Sequence, residues 1–230
     1  MRNYAILIDG GFAKRKLGTS IKPATAEDFQ ALINVLQEQQ ELVNNTLHRV
    51  YYYDSTPLLS AHQKPLNGGK VEFANQQIAN RSQRLFEQMW KLPYVALRLG
   101  ELSFNGWALN PQALDKAQGD VMTIRHDDLK PQITQKGVDM RIGMDIAALT
   151  LKKQVQTIVL VTGDSDFVPA MKFARREGAQ LFLVPLRHKI KSSMYEHSDL
   201  VLDFELPPRQ VHTPRPHTSP PPVDLFTPCV

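Results

Sequence analysis

Asp164, Ser165 and Asp166 follow a β-branched and leucine run, residues 158–161, and a glycine, Gly163. Two carboxylates two residues apart at a strand end suit a hard divalent cation, because clustered negative charges repel unless something positive sits among them. Asp9 repeats the arrangement after the apolar run 4–8 and precedes Gly10 and Gly11. In open α/β sheets, ligands bind beyond the carboxyl ends of the strands. An Asp or Ser before a helix is also an ordinary N-cap, and paired glycines after a strand mark a tight turn. Each block alone therefore has a plain structural explanation; their repetition at two strand ends favours the cation.

The elements that must position these acids follow from periodicity. Residues 158–161 and 180–184 read as strands buried on both faces of a parallel sheet. Between 135 and 151, Met140, Met144, Ala147, Ala148 and Leu151 share one helical face and Ile142, Ile146 and Leu149 another, so this helix is expected to be buried. It runs back antiparallel before the 158–161 strand, so Asp139 at its start belongs to the same sheet edge as Asp9 and Asp164. Asp145 sits roughly 9 Å further along the axis, on the flank of Arg141, where an ion pair on the helix surface is the alternative to a place in the site.

The remaining chain fits one sheet. A capped amphipathic helix is expected over 25–44, starting at Thr25 and Asp28 and burying Phe29, Leu32, Ile33, Leu36 and Val43. A strand over 47–53 ends in Asp54; its tyrosines suit half-buried packing, with base stacking as the alternative. A surface loop is expected over 55–69, a helix over 72–91, a strand over 94–99, an edge hairpin over 101–109 turning at Asn105-Gly106, and a short strand over 121–125. His126, Asp127 and Asp128 read as a solvated loop. A helix over 167–177 stops at Gly178, and a short helix (192–198) and a strand (200–204) close the domain.

With 230 residues and 42% hydrophobic content, the chain supports one core, assigned to residues 1–206. Residues 207–230, rich in proline, read as an extended or disordered tail. The net charge of +4 and 27 basic against 23 acidic residues mildly favour an anionic partner. Candidate substrate contacts are Lys14, Arg15, Lys136, Arg141 and Ser165, and Arg175, Arg176, Arg187, Lys189 and Lys191 form a second basic region. The single cysteine, Cys229, excludes an internal disulfide and a cysteine-based zinc site, and suggests a cytoplasmic protein. No apolar run approaches membrane-spanning length and no signal-peptide pattern opens the chain, so no membrane partner is expected.

Three blocks together resemble the NYN domain family, a branch of the PIN-like nucleases: Ile8-Asp9-Gly10-Gly11, Lys136-Gly137-Val138-Asp139 followed by Asp145, and residues 162–169, Thr-Gly-Asp-Ser-Asp-Phe-Val-Pro. Residues 194–199 fit that family's closing helix and strand. The resemblance implies a Rossmann-like three-layer α/β/α domain with a mainly parallel sheet, whose carboxylates bind Mg²⁺ or Mn²⁺ and cleave RNA. Carried onto this chain, the acidic positions are Asp9, Asp139, Asp145, Asp164 and Asp166, with Asp9, Asp139, Asp164 and Asp166 as metal ligands. The chain departs from the pattern at Phe12, where many members carry Asn. Single-stranded RNA is the expected partner, with a homodimer and a protein partner for the tail as further expectations. The alternatives are a noncatalytic RNA-binding or regulatory module, and a metal-dependent phosphohydrolase; the latter lacks its usual pattern, because Gly11 stands where a second Asp would be.

Overall fold

In the computed structural model, which describes residues 2–115 and 121–206, the central strand is β1 (Asn3–Asp9), buried from residue 4 to residue 8. A strand lying between two helical layers must be apolar on both faces, and this one is. It pairs in parallel with β2 (Thr46–Thr56) and with β7 (Thr157–Val161). Outside β2 lie β5 (Val95–Leu109), parallel, and β6 (Leu129–Lys136), antiparallel. Outside β7 lie β8 (Gln180–Val184) and β9 (Leu200–Val201), both parallel. The seven strands run in the order β6-β5-β2-β1-β7-β8-β9, and β3 (Ala61–Gln63) with β4 (Lys70–Glu72) forms a separate hairpin.

Alternate residues of β1 feed two cores. Tyr4, Ile6 and Ile8 pack toward α1 (Gly10–Leu17), α2 (Ala26–Gln37) and α3 (Gln77–Met89). Ala5 and Leu7 pack toward α5 (Val138–Leu151) and α6 (Val168–Arg176). Two short helices, α4 (Pro111–Leu114) and α7 (Ser192–Glu196), complete the described α-helices. The result is the expected three-layer α/β/α fold with a mainly parallel sheet. Full burial of one side chain such as Ile142 contributes ~2 kcal/mol, so α5 is held mainly by the face carrying Val138, Ile142, Ile146 and Leu149.

Several local expectations change. The helix over 25–44 stops at Gln37, and Val43, expected inside, is 56% exposed while Leu42 is buried. The start is as expected: the Thr25 N–H donates to the Asp28 carboxylate at 2.7 Å. The loop over 55–69 contains β3. The expected hairpin over 101–109 is one continuous strand, because Asn105-Gly106 makes a register shift between Phe104 and Trp107 instead of a turn. Its partner, β6, had no counterpart in the sequence reading, and residues 121–125 form no strand. The α5 helix is not buried all round, since Met140 and Met144 are 67% and 62% exposed. The three tyrosines of β2, Tyr51, Tyr52 and Tyr53, are buried and so are packing residues. The tail expected over 207–230 lies outside the described residues.

Candidate active site

Asp9 ends β1 and caps α1. Its Oδ1 accepts from the Phe12 N–H at 3.0 Å, and its Oδ2 accepts from the Thr162 hydroxyl at 3.1 Å. Register explains the second contact: Ile8 pairs with Val161, so the next residue of each strand, Asp9 and Thr162, meet. The Thr162 oxygen also accepts the Asp164 N–H at 3.2 Å. One buried hydroxyl thus ties the β1 carboxylate to the backbone of the β7 acid. Asp164 in turn accepts the Asp166 N–H at 2.9 Å, which starts the helical turn after β7. Asp9 and Asp164 are thus both caps, as the plain structural reading expects, and each caps a helical turn at the strand ends.

Asp139 reaches the same edge from α5. β6 ends at Lys136, and Gly137 turns the chain at φ +77, a left-handed conformation favoured by glycine, so that α5 begins directly beside the strand ends. Asp139 is an exposed residue, but partial desolvation, then the charges of Asp164 and Asp166, raise its carboxyl above the ordinary pKa. Asp9 is also raised, by burial first; the Phe12 and Thr162 hydrogen bonds and Arg15 oppose the shift, and Asp139 adds to it. Asp139 thus lies in the field of Asp164 and Asp166, and Asp9 in that of Asp139, at the carboxyl edge of the sheet. Among the described residues, no three acidic, histidine or cysteine side chains stand in a preassembled metal cage. The carboxylates nonetheless offer hard oxygens, the donor type that suits a hard divalent cation.

Asp145 is held elsewhere. It accepts from the Tyr53 hydroxyl at 2.8 Å and from Arg98 Nε at 3.1 Å. Its ion-pair partner is thus Arg98 of β5 and not the expected Arg141, whose guanidinium bonds the Gly137 carbonyl at 3.0 Å. Burial, then the Asp145 charge, push the Tyr53 hydroxyl up, so it remains a donor. Lys14, expected to meet substrate, lies 2.6 Å from the buried carboxylate of Asp54 at the end of β2. Asp54 also accepts from the Tyr52 hydroxyl at 2.8 Å. Arg15, Lys136 and Ser165 remain near the acids: Arg15 through its electrostatic effect on Asp9, Lys136 exposed before Gly137, and Ser165 half-buried between Asp164 and Asp166. In the second basic region Arg175, Arg176 and Arg187 pair with Asp199, Glu177 and Glu205.

Two contributors escaped the sequence reading as site residues. Thr162 is fully buried yet polar at a strand end, which was a usable signal. His188 gave none: it arrives from the turn after β8 and packs edge-on against Phe12 at 5.7 Å. A Cβ on Gly163 would come within 2.4 Å of the His188 ring and 2.6 Å of the Phe12 ring, so only glycine lets these rings close over the strand end.

No helix among the described residues is long and apolar enough to cross a membrane. An uncharacterized protein of Methanocaldococcus jannaschii is 24% identical over 112 residues, a match that spans 49% of this chain and 45% of that protein's length. A crystal structure of a protein of unknown function from Vibrio parahaemolyticus superposes with a TM-score of 0.45 at 11% identity, covering 87% of this chain and 91% of that one. A family model for the NYN domain matches residues 100–203. The resemblance to the NYN domain family, a nuclease-type family, therefore holds by an independent match across residues 100–203, a span that takes in Asp139, Asp145, Asp164 and Asp166 and leaves Asp9 outside.

Proposed function

We propose that the protein is a metal-dependent endoribonuclease that hydrolyses RNA phosphodiester bonds at the edge formed by Asp9, Asp139, Asp164 and Asp166. The observation that carries this reading is the Thr162 bridge, which ties the β1 carboxylate of Asp9 to the backbone of Asp164 after β7, with Asp139 opening α5 at the same edge. These four carboxylates would hold Mg²⁺ or Mn²⁺. Bound there, such an ion would supply Lewis acidity toward the scissile phosphate and lower the pKa of its water.

The chain's own residues perform the positioning. Thr162 and the Phe12 N–H fix both oxygens of Asp9. The Asp166 N–H fixes one oxygen of Asp164. Arg15 supplies positive charge beside Asp9, where an approaching phosphate needs it, and Ser165 and Lys136 are the nearby donors. Asp145 acts through α5: its bonds to Tyr53 and Arg98 anchor the helix that presents Asp139. A single-stranded substrate is the one whose backbone is free to follow such an edge.

The test is cleavage of a labelled single-stranded RNA by purified protein in Mn²⁺ or Mg²⁺, with chelator as the control. Metal-dependent internal cuts support the reading, and RNA that is bound but left intact sinks it. The second outcome would favour the noncatalytic module, for which one observation speaks: Phe12 is a buried ring against Gly163 and presents no amide to the site.

A further inference from the structure

Between α1 and α3 lies a cavity of about 440 Å³, within the ~300–1,000 Å³ typical of small-ligand sites. Its lining is largely apolar, with Ile78 and Leu85 from α3, and its charged members are all cations: Lys14, Arg15 and Arg81. Lys14 is committed to Asp54. Arg15 and Arg81 form no ion pair among the described residues, so two guanidinium groups face a cavity to which no carboxylate contributes. Ile78 is 73% exposed beside them, an aliphatic side chain left in water next to positive charge. Arg15 stands on α1, the helix that Asp9 caps, so the cavity adjoins the element that begins at the carboxylate edge.

We infer that this cavity is a nucleotide subsite on the RNA path, taking one base against Ile78 and Leu85 and the adjoining phosphate on Arg15 and Arg81. The inference rests on the reading of the carboxylate edge as an RNA-cleaving site. An apolar floor accepts the face of any base, and planar guanidinium forks match phosphate oxygens. The subsite thus grips the strand without reading sequence. It also gives the cleavage edge something its own acids cannot, since a repelling carboxylate group does not by itself attract a polyanion.

The test measures binding apart from chemistry. A short fluorescein-labelled single-stranded RNA is titrated with the full chain in chelator, and anisotropy gives Kd for wild type, Arg81→Glu, Ile78→Asp and a control, Lys152→Glu, at the far end of α5. Arg81→Glu is expected to raise Kd roughly tenfold and to flatten its salt dependence. Ile78→Asp raises Kd as well, and the control leaves it at wild type. Both test positions are exposed, so melting temperatures stay unchanged. Photocrosslinking of RNA carrying 4-thiouridine should label the peptide containing Ile78 and Arg81. Kd values within about twofold of wild type for both variants overturn the subsite, since loss of a phosphate contact must show in binding. So do crosslinks confined to other peptides, absence of RNA binding, or adenosine monophosphate that binds at Arg81 where RNA does not. If RNA binds and crosslinks there but is never cut, the subsite stands and the nuclease reading fails; if both variants cut and bind RNA like wild type, the subsite fails and the nuclease reading stands.

Discussion

Aspartates at and near the carboxyl edge of this sheet live in two different settings. Asp54 and Asp145 each have a tyrosine hydroxyl at 2.8 Å and a cation within 3.1 Å, Lys14 and Arg98 respectively. Among the described residues Asp139 and Asp166 have neither; the charges that act on Asp139 are those of other carboxylates. One pair of acids is thus held within the fold by a tyrosine and a cation, and the other pair is not, which is the difference the proposed metal site builds on. On the proposed reading, the same side chain carries stability in one place and chemistry in the other.

The sharpest way to break this division is Asp164→Asn. The amide oxygen still accepts the Asp166 N–H, so the turn after β7 survives, while the charge needed by a cation is gone. Cleavage should fall by orders of magnitude, and the melting temperature measured without metal should hold or rise. A mutant that unfolds would return Asp164 to the structural group.

Asp54→Ala should do the opposite. It leaves Lys14 and the Tyr52 hydroxyl without their shared acceptor, at a cost of about 3 kcal/mol in a denaturant titration. Asp145→Asn keeps an acceptor but loses the charge facing Arg98, so a smaller loss of stability is expected, with cleavage reduced only as far as α5 and Asp139 shift. Should Asp145→Asn instead abolish cleavage at full stability, Asp145 belongs with the catalytic acids, as the family resemblance alone would have it.

How much of this was legible beforehand depended on whether the signal was local. The buried runs of β1, β7 and β8 declare themselves, and Gln180–Val184 is found at its expected bounds. The edge strand β6, Leu-Lys-Pro-Gln-Ile-Thr-Gln-Lys, is exposed over most of its length, so neither alternation nor an apolar run marks it. Asn105-Gly106 has the composition of a hairpin turn, and only pairing with β6 shows it to be an irregularity inside β5. In the site, acids at strand ends could be read because strand ends recur in sequence. The partners that sort those acids could not: Lys14 meets Asp54, and Arg98 meets Asp145, across elements far apart in the chain. His188 over Gly163 is the same kind of fact.

Added metal should separate the two groups by stability as well. At about 100 times its dissociation constant, a ligand specific to the native state contributes about 2.7 kcal/mol. For a domain of this size that is a rise in melting temperature of roughly 5 °C or more. Mn²⁺ should produce it in wild type and in Asp145→Asn but not in Asp164→Asn. An equal rise in all three would place the ion outside the carboxylate edge.

The smallest expected effect is on pH dependence, and its sign distinguishes the groups. Asp9 and Asp139 have raised native pKa values, chiefly through desolvation, with neighbouring acids adding to it. A native carboxyl raised above its unfolded value binds its proton first as pH falls, so between the two pKa values the native state holds more protons. Stability without metal should therefore rise as pH falls from neutral through the raised values, and the gain should end near pH ~4, where the unfolded chain takes up its protons too. Asp139→Asn removes one such group and should flatten that curve, while leaving the Asp54 and Asp145 contacts intact. Metal should flatten it for a different reason, by competing with protons for the same oxygens. Denaturant titrations across this range, with and without Mn²⁺, measure both effects. If Asp139→Asn leaves the slope unchanged, Asp139 does not share a field with Asp164 and Asp166, and the cluster loses its third member.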